Sequence, residues 1–150
     1  MPGDADVARA LVAAQLRGTR YLARALEVLD AALRFEDPEY LAVVAERRAH
    51  ILALALFGTV AGARQCTKLH ALVGRDDAAL TALASGVVQV AADAGERLVV
   101  CELADDRCFS PAARALPPAG FGEEGRVDDY VADGVALRLL VWRRPSDVLP

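Results

Sequence analysis

Residues 37–58, DPEYLAVVAERRAHILALALFG, carry the reading that decides the fold. Asp37 is a good helix N-cap. Pro38 suits the first helical position, where its missing N–H is not needed. The apolar residues that follow predict a helix from Pro38 to about Phe57. Gly58 weakens it, Thr59 caps a continuation to Val73, and Gly74 stops it.

The flanks read the same way. Asp4 or Asp6 caps a first helix, whose apolar face runs through Val7, Leu11, Leu22, Leu26, Leu29 and Leu33. Gly18-Thr19 interrupts or kinks it. Asp76 or Asp77 starts another helix that ends at Gly95. Residues 5–94 therefore read as a helical part, a bundle of four to five helices.

The period changes beyond Gly95. Residues 98–103, LVVCEL, form a short apolar strand, and Asp105-Asp106 suits a turn. Ser110-Pro111 opens a single helical turn through Leu116, and Pro117 to Gly125 reads as a loop. Asp133-Gly134 is a strong two-residue hairpin signal for residues 126–142. It sets Asp129 against Arg138 and Tyr130 against Leu137. Tyr130, Val135, Leu137, Leu139 and Val141 then share the core face. The expected architecture is α+β: one domain over 1–150, with an N-terminal helical bundle packed on a small C-terminal antiparallel sheet that contains a β-hairpin. Its strand-rich part spans 96–143.

Composition narrows the function classes. The formal net charge is −4, Lys68 is the only lysine, and the arginines are scattered. Aromatic residues are 5% of the chain. That combination argues against a nucleic-acid protein, which needs a basic patch and stacking platforms. The first residues, MPGDAD, are acidic where a signal peptide is basic. The longest uncharged runs, 51–63 and 78–92, fall short of the roughly 20 apolar residues that span a bilayer. Three cysteines do not complete a disulfide framework. The expectation is a cytoplasmic chain with reduced thiols and no membrane contact.

Few residue sets suggest chemistry. Cys66 and His70 lie four apart on the expected helix, and Cys101 and Cys108 flank the Asp105-Asp106 turn. Together they offer zinc three thiols and an imidazole. The seven-residue spacing of the last two is poor for a zinc knuckle, so no metal and no cofactor are expected. His50 sits one helical turn after Glu46 and is a candidate for acid–base work. The two uncharged runs read as helices apolar nearly all round, which a second copy would cover. The sequence thus points to a non-catalytic, cytoplasmic protein-interaction or regulatory module that forms a homodimer through apolar helices and takes a protein partner. The alternative is a small-molecule binder or enzyme using a cleft between bundle and sheet, with His50, Cys66 and His70 as first candidates for catalysis.

Overall fold

The computed structural model describes residues 2–34 and 40–146. They form four α-helices and one six-stranded mixed sheet. Helices α1 (Pro2–Leu16) and α2 (Leu22–Leu33) lead into strands β1 (Leu41–Arg47), β2 (His50–Thr59) and β3 (Cys66–Gly74). Helix α3 (Asp77–Asp93) connects β3 to β4 (Leu98–Ala104). Helix α4 (Ser110–Ala115) precedes the hairpin of β5 (Gly122–Ala132) and β6 (Val135–Arg143). The strand order is β1-β2-β3-β4-β6-β5. Only β3 and β4 run parallel; every other pair is antiparallel.

This overturns the expected bundle on a small C-terminal sheet. The sheet is central, and half of it comes from the region expected to be helical. Residues 41–74 are three strands. The reason is burial on both faces. Ala53, Ala55 and Phe57 of β2 pack in one cluster with α3, while Leu54 and Leu56 pack in the other with α1 and α2. A strand covered on both sides loses its polar alternation and matches a buried helix in composition. The Asp37-Pro38 signal lies outside the described residues.

The run 51–63 is therefore chiefly an inner strand, not a helix face left for a second copy. Helices of the same chain cover both of its sides. No helix among the described residues is long and apolar enough to cross a membrane.

Other local signals hold. Gly18, at φ +74°, separates α1 from α2. The Asp76 side chain caps α3 by accepting from the Ala79 N–H at 2.9 Å. Strand β4 and helix α4 fall where expected. The hairpin is present, but its register differs. Val127 faces Leu137 and Arg126 faces Arg138. An irregularity follows, with Asp129 at φ +53° and its Oδ1 accepting from the Gly134 N–H at 2.7 Å. Positive φ occurs at Gly134 but not at Asp133, so the turn is not type I′. The buried residues of β6 are Ala136, Leu140, Val141 and Trp142, while Tyr130 is exposed. Of the expected core face, Val141 is buried, Val135, Leu137 and Leu139 are half-buried and Tyr130 is not in the core, because the extra β5 residues between Val127 and Ala132 displace Tyr130 from its place opposite Leu137.

The β1–β2 turn explains why this hairpin was invisible in sequence. Arg48 and Ala49 both take positive φ, +51° and +62°. That conformation normally selects Asn or Gly. It costs an ordinary residue roughly 1–2 kcal/mol. Ala49→Gly is thus expected to raise stability by about 0.5–1 kcal/mol, after the extra chain entropy of Gly is subtracted. The thermal midpoint should rise by about 1–4 °C. In a helix interior the same change would lower stability by about 1 kcal/mol. The sign of the shift in a melting experiment therefore separates strand turn from helix.

Candidate functional site

Strands β3 and β4 are parallel neighbours for only three residue pairs: Cys66 with Leu98, Thr67 with Val99 and Lys68 with Val100. Beyond Lys68 the two strands part. The cause is local. Leu56 of β2 faces Ala71 of β3, yet the next residue, Phe57, faces Leu69. His70 is the extra residue of a bulge. A bulge bends its strand and increases its twist, and it breaks the alternation of faces. Leu69 and Leu72 accordingly fall in one cluster and Val73 in the other.

The parting leaves a cleft of about 500 Å³. It is lined from both sides of the sheet. Leu56 and Val73 belong to the α1–α2 cluster, whereas Leu72, Leu103 and Ala112 belong to the α3–α4 cluster. An opening at the carboxyl ends of parallel strands is where open α/β sheets take ligands.

The polar lining comes from four segments. Lys68 and Glu102 form an ion pair across the two strands at 2.8 Å. His70 packs its ring on Tyr40, with centroids 4.9 Å apart. Tyr21, the N-cap residue of α2, stacks edge-on against Phe109 at 4.7 Å. Its hydroxyl donates to Asp106 Oδ2 at 3.2 Å. Arg20 and Arg24 complete the rim. Partial burial, and then the Asp106 carboxylate, push the Tyr21 phenol above its ordinary value. It keeps its proton and serves as a donor.

Gln15 fastens one end of the cleft. Its Nε2 donates to the Cys108 carbonyl at 3.0 Å, and its Oε1 accepts from the Gly74 N–H at 3.0 Å. One amide thus joins α1, the end of β3 and the 3-10 turn at 107–109. Gly74 is needed at that point. A Cβ there would lie 2.8 Å from Ala53 Cβ and 2.8 Å from the Leu52 carbonyl oxygen.

The residues singled out from sequence separate. His70 lines the cleft, but on a bulged strand rather than on a helix with Cys66. Cys101 lines it as well. His50 is exposed at the start of β2, beside the β1–β2 turn, and is not part of the lining. Cys66 begins β3, and Cys108 lies in the 3-10 turn. Among the described residues no group of three or more His, Cys, Asp or Glu side chains is gathered for a metal ion. Tyr21, Tyr40, Gln15 and Glu102 were not found by sequence reasoning. They converge only through the fold, although the single lysine, Lys68, was a usable signal.

No family model and no curated protein matches the chain in sequence. Solved structures do match. An acetyltransferase assigned to the GNAT family, from Desulfovibrio desulfuricans, superposes with a TM-score of 0.79 at 20% identity over 95% of this chain and 94% of that one. The aminoglycoside 6'-N-acetyltransferase from Enterococcus faecium gives 0.75 at 15% identity, over 97% and 95%. An aminoglycoside 6'-N-acetyltransferase complexed with coenzyme A gives 0.71 at 16% identity, over 97% and 95%. The chain has the fold of the GNAT acetyltransferases. The expected non-catalytic regulatory module of self-associating apolar helices is overturned with its bundle: the chain has this fold, and its sheet opens into a cleft.

The thiols are quiet. Burial pushes Cys101 up to about 12, and burial foremost also raises Cys66 and Cys108. A raised pKa suppresses the reactive thiolate. A chromogenic thiol reagent at neutral pH should modify Cys101 at least tenfold more slowly in the native protein than in denaturant. Equal rates would contradict its enclosure.

Proposed function

We propose that the protein is an acyl-transfer enzyme acting on a small amine-bearing molecule in the cleft between β3 and β4. The observation that carries this reading is the split of one parallel strand pair on a fold shared with solved acetyltransferases. An amine acceptor has suitable company in the cleft. Glu102 supplies a carboxylate near the mouth. The His70 imidazole is the side-chain type suited to taking a proton near neutral pH. Tyr21 holds a proton that it can donate to a leaving group.

Coenzyme A or its acetyl thioester is bound in several of the structural neighbours. Half of it suits this cleft. Beyond Lys68, β3 and β4 no longer pair with each other, and an amide-bearing arm can add to such strand edges. The diphosphate half does not fit, because two carboxylates occupy the start of α3 beside the end of β3. No step is therefore derived through coenzyme A.

The reading is tested by acetyl transfer from S-acetyl-N-acetylcysteamine to a panel of primary amines, followed as thiol release. Release above background with at least one amine is expected. Ala71→Trp, which fills the cleft, should reduce it at least tenfold while leaving the far-ultraviolet circular dichroism unchanged. No release with any amine, or full activity in Ala71→Trp, would contradict the reading.

A further inference from the structure

We infer that the acyl donor of this protein carries no nucleoside diphosphate: the chain takes a thioester on a short, pantetheine-like arm. The inference rests on the acyl-transfer reading and specifies its donor. It is drawn from the corner where β3 meets α3. A helix start beside the carboxyl end of a parallel strand is the standard seat of a diphosphate, because free N–H groups and the positive end of the helix dipole face it. Here two carboxylates, Asp76 and Asp77, stand at that seat.

Only Arg75 and Asp76 separate β3 from α3. No glycine-rich loop exists to wrap a phosphate with successive N–H groups. The Gly74 N–H is used by Gln15 Oε1, and the Ala79 N–H by Asp76 Oδ1. Asp77 adds a second carboxylate in the first helical turn. It is held by Arg114 of α4, whose Nε and Nη2 reach Asp77 Oδ2 and Oδ1 at 3.2 Å each. That ion pair straps α4 to the mouth of α3. Ala112 and Ala115 of α4 lie buried in one cluster with Leu80, Leu83 and Ala84 of α3. A diphosphate would meet two carboxylates at a helix end whose dipole they already complement. Arg75 is exposed and contributes one cation. Arg114 contributes a second only if it leaves Asp77.

The cleft itself is intact. Its lining lies along β3 and β4 and under α2, and does not include Asp76 or Asp77. The part of a donor that enters the sheet is therefore separable from the part that would cross the corner.

The test compares coenzyme A with pantetheine, by titration calorimetry on the whole chain. Dissociation constants within threefold of each other support the inference, as does failure of adenosine 3',5'-bisphosphate to compete. Coenzyme A binding tenfold or more tightly than pantetheine overturns it and leaves acyl transfer standing. Binding of neither overturns both the inference and the reading beneath it. A second arm uses the double variant Asp76→Asn, Asp77→Asn, in which Asn still caps α3 and Arg114 is released. Coenzyme A affinity should rise about tenfold, the scale of two like charges removed near a surface, with pantetheine affinity unchanged. An unchanged coenzyme A affinity in a folded double variant would also overturn the inference.

Discussion

One extra residue in β3 governs the architecture of the site. The bulge at His70 ends the β3–β4 ladder after three pairs and bends β3 away from its parallel neighbour. A continuous ladder would fill the middle of the sheet with backbone hydrogen bonds and leave no cleft. Because the bulge also reverses the facing of the residues after it, Val73 joins the α1–α2 cluster and Leu72 the α3–α4 cluster. The opening is therefore walled by both hydrophobic layers. The cores that stabilise the fold also hold the site open.

The helices complete what the bulge begins. Tyr21 reaches from the start of α2 to Asp106 and Phe109. Gln15 reaches from α1 to Gly74 and Cys108. Both contacts join the N-terminal helices to the end of β3 or to the segment after β4. The mouth of the cleft is thus fixed by contacts of long sequence separation, which give it a defined shape. On the opposite layer α3 and α4 pack closely, and the Asp77–Arg114 pair closes their outer end. The same fold that accommodates coenzyme A in a structural neighbour here offers one open region and one occupied one.

The C-terminal half of the fold was legible in sequence, and the N-terminal half largely was not. Asp76 capping α3, the apolar strand at Leu98–Ala104, the short helix after Ser110 and the hairpin around Gly134 all follow from local chemistry that the structure retains. The strands at 41–74 escaped detection for two physical reasons. Strand β2 is buried on both faces, so its pattern carries no period of two. Its turn is built from Arg48 and Ala49 in a conformation that normally announces itself by Asn-Gly. The site was legible only in part. His70 was singled out for its four-residue spacing from Cys66 on an expected helix, but its place in the cleft depends on a strand bulge that no residue type signals. Tyr21, Tyr40 and Glu102 are ordinary in sequence and meet only when α2 packs over the split sheet.

The central claim is that the split between β3 and β4 is where this protein takes its ligand. The most direct measurement is the location of amide shift changes when pantetheine is added to nitrogen-15-labelled protein. The account predicts that they concentrate in residues 69–73 and 101–104 and at Tyr21. Changes confined to the outer edges of the sheet, along β1 or β5, with β3 and β4 unmoved, would contradict it.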